Sequence, residues 1–272
     1  MTALALVGAT AVVAVLGARW AVDELAPARC VFEAADREVS LTPEQAANAA
    51  TIAGVAVDRG LPARAATIAI TTAIQESKLR NLRYGHADSL GLFQQRPSQG
   101  WGTAEEVMDP VHASNAFYDA LVQVEGWETG IVTEVAQEVQ RSAFPDAYAD
   151  HEWEGRVLAS VLTGQEGAAT RMGCRLPRPD GTGSAQALAA KATAQLGRSG
   201  TVSADVPATV RLELPDEAAA WSVGTWAVSH AAAEDVVRVT VGDREWRRTC
   251  DGLRWQDADE AVGATTVVVE VG

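Results

Sequence analysis

The pattern of apolar and polar positions points first to one buried helix. Residues 65–74 contain only Ala, Ile and Thr, and they are followed by the polar Gln75-Glu76-Ser77 and by Lys78 and Arg80. A helix that is apolar on every side is a buried helix, so this run predicts a central helix packed on nearly all its faces. The polar residues mark the end of that helix, and Glu76 lies on its last turn.

Further helices are predicted on both sides of the central one. Thr42, Pro43 and Gln45 have the spacing of a helix start, with a capping Thr, Pro at the first position and Gln at the third. Gly60 is expected to end this helix near Arg59. Three more helices are predicted downstream, one opening at Asp109-Pro110, a short one capped by Thr133 and ending near Arg141, and a last one over residues 154–162.

Strand signals flank this helical region. Residues 30–41 predict a hairpin that turns at Ala35-Asp36, and the Gly- and Pro-rich residues 164–183 predict a linker. Beyond the linker, the pattern predicts helices over residues 184–196 and 216–232 and strands over residues 210–214, 236–241 and 265–271, with a turn at Gly242-Asp243. The predicted fold class is a mainly α domain with a small β-hairpin, residues 30–163, followed by a small α+β domain, residues 184–272.

The N-terminal residues form a separate apolar segment. From Thr2 to Val22 the only charged residue is Arg19. A membrane-spanning helix needs at least about 17 apolar residues, so residues 1–29 are predicted to hold a single membrane anchor. A cleaved signal peptide, which would make the protein secreted, is the alternative, although no basic region precedes the apolar run. Both interpretations place the rest of the chain outside the cytoplasm.

Composition and charge narrow the classes of partner. A chain of 272 residues suffices for two modest domains, and a hydrophobic content of 47% excludes general disorder. The formal net charge of −14 argues against nucleic acid as a partner, because a polyanion is repelled. It also argues against electrostatic attraction to an anionic cell envelope, so binding to a cell wall requires specific contacts.

Three cysteines, Cys30, Cys174 and Cys250, are compatible with an oxidising compartment. Cys30 precedes the helical region and Cys174 follows it, so a bridge between them would tie the two ends of that region together. Cys250 would then remain unpaired. Two alternatives stay open, a Cys174–Cys250 bridge and three free thiols, because pairing cannot be deduced from sequence.

Glu76 is the first candidate for chemistry. A carboxyl group at the C-terminal end of a buried helix is favoured in its neutral form by the helix dipole and by partial desolvation. A neutral carboxyl group is a proton donor. The alternative is a solvated Glu on an exposed last turn, since most carboxylates are solvated.

The residues after Glu76 complete a motif pair. Glu76-Ser77, a polar loop and the Gly-Leu-Phe-Gln of residues 91–94 resemble the Glu-Ser and Gly-Leu-Met-Gln motifs of lytic transglycosylases and goose-type lysozymes. The resemblance covers roughly residues 41–152 and implies a lysozyme-like fold, with Phe93 in place of Met. That family also has an Ala-Tyr-Asn-Ala-Gly segment whose Tyr sits over the catalytic acid. The nearest counterpart here, residues 139–144, contains no Tyr-Asn pair.

For the function, the resemblance implies cleavage of the β-1,4 bond after N-acetylmuramic acid in peptidoglycan glycan strands, without a metal or cofactor. Glu76 matches the single acid/base, Ser77 the residue that orients it or contacts the acetamido group, and Gln94 a residue lining the cleft. Further candidates for substrate binding lie close to the motifs, namely Tyr84, Asp88, Gln95 and Trp101.

Each of these candidates also has a purely structural interpretation. Ser77 is a small residue suited to a helix end, and Gln94 suits a turn. The aromatic rings of Tyr84 and Trp101 suit packing equally well. Asp88 is the one nearby carboxylate that would position a water and convert the reaction to hydrolysis, but Asp-Ser-Leu-Gly also suits a tight turn.

Three functions therefore remain open from the sequence. The first is a peptidoglycan-cleaving lytic transglycosylase or muramidase, and the second is a lysozyme-like module that binds glycan without cutting it. The third is an envelope scaffold whose protein partner binds the C-terminal domain, because a fold alone does not fix a function. The tryptophans of that domain predict either a sugar-stacking surface or, as is more common in so small a domain, its core; they are Trp221, Trp226, Trp246 and Trp255.

Overall fold

The structure, a computed structural model, describes residues 27–141, 145–203, 208–249 and 252–272. These residues form an α+β fold with eight α-helices and two antiparallel sheets. The predicted anchor, residues 2–22, and Cys250 lie outside the described residues. Within them, no helix combines the length and the apolarity that crossing a bilayer demands.

The first sheet contains the hairpin that the sequence predicts. β1 (Arg29–Ala34) and β2 (Arg37–Leu41) pair in antiparallel fashion and are joined by Ala35-Asp36, where both residues have positive φ. A two-residue turn of this kind matches the twist of the two strands. β3 (Arg171–Arg175) pairs with the other side of β1, so the strand order is β2-β1-β3. The predicted linker is therefore wrong over β3, because those residues complete a sheet.

Six helices make up the rest of the first unit of the fold, residues 29–175. They are α1 (Pro43–Asp58), α2 (Ala63–Ser77), α3 (Ala104–Met108), α4 (Pro110–Leu121), α5 (Val132–Gln140) and α6 (Glu152–Leu162). The predicted start of α1 is confirmed, since Thr42 and Gln45 cap each other through side chain and backbone. The predicted cap at Thr133 is wrong, because α5 begins one residue earlier to bury Val132.

The predicted burial of the central helix is confirmed. Every residue of α2 from Ala65 to Ile74 is buried. α6 packs across α2 at Gly155, where a Cβ atom would lie 2.1 Å from Oγ1 of Thr71. The absence of a side chain at Gly155 therefore lets the two helix backbones approach each other closely, and it holds α2 in place.

The second unit of the fold, residues 185–271, is a six-stranded sheet with two helices. Its elements are α7 (Ala185–Leu196), β4 (Thr201–Ser203), β5 (Ala208–Glu213), α8 (Glu217–Ser229), β6 (Val236–Val241), β7 (Arg244–Arg247), β8 (Gln256–Asp257) and β9 (Thr266–Val271). The strand order is β4-β5-β9-β6-β7-β8, and every neighbouring pair is antiparallel. Gly242-Asp243 turns between β6 and β7 as predicted.

α8 joins the two units into one hydrophobic core. It packs against β6 and β9 of its own unit and against α1, α6 and β3 of the first unit. Oγ of Ser222 donates a hydrogen bond to the carbonyl oxygen of Leu162 at 2.8 Å. Gly164, with a φ of 75°, approaches α8 so closely that a Cβ atom would lie 1.9 Å from the carbonyl oxygen of Ala218. The two predicted domains therefore share a core and are not separate along a linker.

The four tryptophans of the second unit belong to this core. Each of Trp221, Trp226, Trp246 and Trp255 is at most 6% exposed. Nε1 of Trp246 donates to the carbonyl oxygen of Gly252 at 2.6 Å, which satisfies its one donor inside the protein. The core interpretation is confirmed and the sugar-stacking surface is wrong, because none of these rings is open to a ligand.

The predicted disulfide between Cys30 and Cys174 is present. The two residues lie directly opposite each other in the β1–β3 pair, and both are fully buried. The bond therefore closes the chain around all the helices of the first unit, with a sequence separation of 144 residues.

His230 makes the stability of the shared core depend on pH. It is buried between α1 and α8, with Nδ1 2.9 Å from the carbonyl oxygen of Trp226 and Nε2 3.5 Å from Oγ1 of Thr51. Burial lowers the pKa of His230 from 6.5 to about 4. The unfolded chain therefore takes up the proton first as the pH falls, so this contribution to stability is full above about pH 6.5 and is lost toward pH 4.

We expect the free energy of unfolding to fall by about 2 kcal/mol between pH 7.5 and pH 5 through His230 alone. Urea titrations of the parent protein and of His230→Gln at both pH values measure this effect. The variant should show a smaller decrease, because its side chain does not titrate. An equal decrease in the two proteins would show that His230 is not responsible.

Candidate active site

α2 presents Glu76 at the edge of the core. The helix ends at Lys78, whose left-handed backbone, with a φ of 55°, turns the chain into the following loop. Oγ of Ser77 lies 2.7 Å from the carbonyl oxygen of Leu92, so the end of α2 is tied to the Gly-Leu-Phe-Gln segment. The two motifs that the sequence singles out are therefore in contact.

Two side chains bind the carboxyl group of Glu76. The hydroxyl of Tyr148 donates to Oε1 at 2.6 Å, and Gln140 also hydrogen-bonds to the carboxyl group. Nε2 of Gln140 donates to the carbonyl oxygen of Phe93 at 2.7 Å, which fixes the amide against the second motif. Burial raises the pKa of Glu76 above its ordinary value of 4.5, and the two hydrogen bonds oppose that rise. The predicted shift toward the neutral form is confirmed in direction.

Tyr148 contacts the candidate acid, and the sequence interpretation does not single it out. Residues 139–144, named there as the nearest counterpart of the Tyr-bearing segment, contain no Tyr, and Tyr148 lies just beyond them. The 3₁₀ helix Pro145–His151 instead carries Tyr148 to Glu76 across 72 residues of sequence. The pair Ala147-Tyr148 was the available signal, because it matches the first half of the family's segment a few residues further along.

A cavity of about 420 Å³ opens beside Glu76. Its walls come from the end of α2, the loop that follows and the end of α5. They are formed by Glu76, His86, Ser89, Gln94, Gln95, Arg96, Gln99, Trp101, Gln140 and Arg141. Two cavities of about 520 Å³ lie beside the β1–β2 turn, but Glu76 lines neither of them. The smaller cavity is therefore the candidate active site.

Gln94 and Trp101, two of the candidate substrate-binding residues, both line the cavity. Gln94 has a φ of 49°, and its Nε2 lies 3.3 Å from the carbonyl oxygens of both Tyr84 and Gly91. Its amide thus also holds the loop together, where the backbone has the left-handed conformation that is uncommon for non-glycine residues. The ring of Trp101 is half-buried against the core and contributes an aromatic wall.

Ser77 and Gln95 are both buried, but only one of them lines the cavity. Ser77 does not line the cavity, and its observed contacts are with backbone carbonyls of the helix and the loop. Gln95 does line it, although it is only 1% exposed. Its Nε2 donates to the carbonyl oxygen of Ala113 at 3.2 Å, while Oε1 has no hydrogen-bond partner among the described residues.

Asp88 and Tyr84 lie outside the cavity wall. Asp88 accepts hydrogen bonds from Nε of Arg96 at 2.8 Å and from the backbone N–H and Oγ of Ser98 at 2.8 and 2.9 Å. These bonds hold the pKa of Asp88 far below its ordinary value, and they support its interpretation as a turn residue. Tyr84 is 72% exposed, so the structure does not bring its ring to Glu76.

Comparison with models of protein families and with curated proteins found no match to this chain. Among the described residues, no group of three or more His, Cys, Asp or Glu side chains is placed to hold a metal ion. The contacts of Glu76 and the lining of its cavity are therefore the observations that bear on function.

Proposed function

We propose that this chain is a peptidoglycan lytic transglycosylase with a lysozyme-like first unit. The observation that carries the proposal is a partly buried carboxyl group with a raised pKa, Glu76, bound by a Tyr hydroxyl at the wall of a cavity. Such a group stays protonated to higher pH than a solvated Glu, which suits a general acid. The bond cleaved is the β-1,4 bond between N-acetylmuramic acid and N-acetylglucosamine.

In the first step, Glu76 donates its proton to the glycosidic oxygen as the bond from that oxygen to C1 breaks. The acetamido oxygen of the muramic sugar closes on C1 and takes up the positive charge that develops there as a cyclic oxazolinium ion, whose charge balances the carboxylate of Glu76. Tyr148 and Gln140 hydrogen-bond to the carboxyl group, so they stabilise the carboxylate that proton transfer leaves on Glu76.

In the second step, the carboxylate of Glu76 takes the proton of the 6-hydroxyl group on the same sugar. The oxygen of that hydroxyl attacks C1 and displaces the acetamido oxygen. The product is a 1,6-anhydro sugar, no water is consumed, and Glu76 is protonated again. One carboxyl group therefore serves as acid and then as base.

The lining of the cavity favours this route over one with two carboxylates. Most glycosidases place a second carboxylate within about 10 Å of the first. In the described part of the chain, Glu76 is the single carboxylate of the lining, and Asp88 is committed to Arg96 and Ser98. A muramidase reaction would instead need a water molecule in place of the 6-hydroxyl group.

Incubation with purified sacculi tests the proposal through the masses of the products. A transglycosylase releases muropeptides that are lighter by one water than those a muramidase releases. Products of the heavier mass would therefore replace our proposal with hydrolysis. Binding to sacculi without release would indicate a glycan-binding module, and the absence of both would leave an envelope scaffold.

Gln140→Met should extend activity to higher pH. The change removes a hydrogen bond that favours the ionised form of Glu76, so the pKa of Glu76 should rise further and the acid should stay protonated longer. The alkaline limb of the profile of kcat/KM against pH measures this shift. Gln123→Met, an exposed Gln outside the cavity, is the matched control. If the alkaline limb lies at the same pH in both variants as in the parent protein, Gln140 does not set the pKa of Glu76.

We also propose an extracytoplasmic location, with an anchor or signal peptide in residues 1–29. The Cys30–Cys174 disulfide supports it, because such bonds persist in oxidising compartments. An anchored protein should fractionate with membranes and resist a carbonate wash. A soluble mature form that begins after Ala18 would instead identify the segment as a cleaved signal peptide.

A further inference from the structure

The cavity beside Glu76 differs in charge from the chain as a whole. The protein has 36 acidic and 22 basic residues. In the cavity, by contrast, Glu76 is the one carboxylate of the described lining. The basic side chains there are Arg96, Arg141 and His86. Glu76 is neutral in the state that donates a proton, and Asp88 counters the charge of Arg96, so Arg141 gives the working cavity its positive charge. A cationic cleft in an acidic protein attracts anions to that place alone.

We propose that this cavity recognises a carboxylate carried by the substrate, and that Arg96 and Arg141 bind it. The inference rests on the proposed function, because the substrate that carries the carboxylate is the glycan strand proposed there. Two groups have the required chemistry. One is the lactyl carboxylate of a muramic acid without peptide, and the other is a carboxylate of a peptide attached to that lactyl group. A glycan of N-acetylglucosamine alone has neither.

Arg96 is held in position by its neighbours. Its Nε donates to Oδ1 of Asp88 at 2.8 Å, and Asp88 is fixed in turn by Ser98. This pairing occupies one edge of the guanidinium and leaves its terminal amino groups without a carboxylate partner among the described residues. A guanidinium fixed in this way loses less conformational entropy when it binds a ligand, and its fork matches the two oxygens of a carboxylate.

Arg141 supplies a charge that no described residue pairs with. It follows Gln140, and its backbone has a φ of 51° where α5 ends. Its side chain is exposed and takes part in none of the ion pairs between described residues. The adjacent Gln140 is bound to the site through Phe93 and Glu76, so the backbone that carries Arg141 is fixed beside the acid.

Titration calorimetry on the full chain carrying Glu76→Gln tests the inference without turnover, because Gln has the charge of the protonated acid. The first probe, chitotetraose, carries no carboxylate. The second is a tetrasaccharide in which N-acetylglucosamine alternates with muramic acid and the lactyl groups are free. The others are this second tetrasaccharide with attached peptides, in one case with free and in the other with amidated peptide carboxyl groups. We expect at least one carboxylate-bearing probe to bind about 10-fold more tightly than chitotetraose. The two tetrasaccharides with peptides show whether the lactyl group or the peptide supplies the carboxylate.

Arg96→Gln and Arg141→Gln should each remove most of that preference, because they should lower the affinity for the carboxylate-bearing probes by a larger factor than the affinity for chitotetraose. Arg80→Gln, an exposed Arg that does not line the cavity, is the matched control. If either Gln variant melts at a lower temperature, Arg96→Lys and Arg141→Lys replace it, and they should retain part of the preference because charge remains without the fork.

Equal affinity for neutral and carboxylate-bearing probes would overturn this inference alone, as long as the unmodified protein releases lighter muropeptides from sacculi. An equal loss of affinity for the neutral and the carboxylate-bearing probes in the Arg variants would also overturn it. If no saccharide binds and no muropeptide is released, the proposed function fails together with the inference. These outcomes separate a wrong substrate feature from a wrong activity.

Discussion

Glu76→Gln should lower the release of muropeptides from sacculi by at least about 100-fold, since general acid catalysis typically contributes about 10² to 10⁴ in rate. The substitution keeps the shape of the side chain and removes its titrating proton. Both the proton donated to the leaving oxygen and the base of the second step are then lost. Initial rates of release at the pH optimum of the parent protein measure the effect.

The fold should survive this substitution, because Gln retains an oxygen that accepts from Tyr148. Glu138→Gln is the control, an exposed Glu on α5 that does not line the cavity, and its rate should be unchanged. Near-normal release by Glu76→Gln would end the assignment of Glu76 as acid. A comparable loss in Asp88→Asn, with the affinity for glycan intact, would point to a hydrolase with two carboxylates.

Removal of the Cys30–Cys174 disulfide should have the largest effect on stability. The bond spans 144 residues, and in the chain-entropy model closing a loop of that length contributes roughly 4 to 5 kcal/mol to the free energy of unfolding. We expect a loss of that order in Cys30→Ala/Cys174→Ala, measured by urea denaturation. Alanine is chosen because both sites are fully buried, where a serine hydroxyl would lack a partner.

Cys250→Ser controls for the loss of a thiol outside the bond, and its stability should match that of the parent protein. Peptide mapping without reduction should recover Cys30 and Cys174 in one linked fragment. If the free energy of unfolding of the double variant is less than about 1 kcal/mol below that of the parent protein, the unfolded chain gains little conformational freedom when the bond is absent.

Features that depend on neighbouring residues were predictable from the sequence. The start of α1 depends on Thr42 and Gln45, which cap each other three residues apart, and the burial of α2 follows from ten residues without a charge. The hairpin at Ala35-Asp36 is local in the same sense. Glu76 was identifiable because it follows directly on the buried run, and its raised pKa agrees with the desolvation expected there.

Features that depend on distant contacts were not predictable in this way. β3 looks like part of a linker because its pairing partner, β1, lies about 140 residues earlier in the chain. Tyr148 reaches Glu76 only through the packing of the 3₁₀ helix against α2, which no local pattern reveals. The shared core likewise depends on α8, whose nearly complete burial reflects contacts on both sides at once.

The position of β1 has a consequence for any attempt to shorten the protein. The sequence alone suggests that residues 30–163 form a separable catalytic fragment, but β1 is the middle strand of its sheet and β3 lies beyond that boundary. A fragment ending there would expose one side of β1 as a new sheet edge, with backbone donors and acceptors that pair readily with another molecule. Self-association through that edge is the expected fate of such a fragment, so the shortest version of the protein that keeps β1 covered should extend past β3 and retain α8.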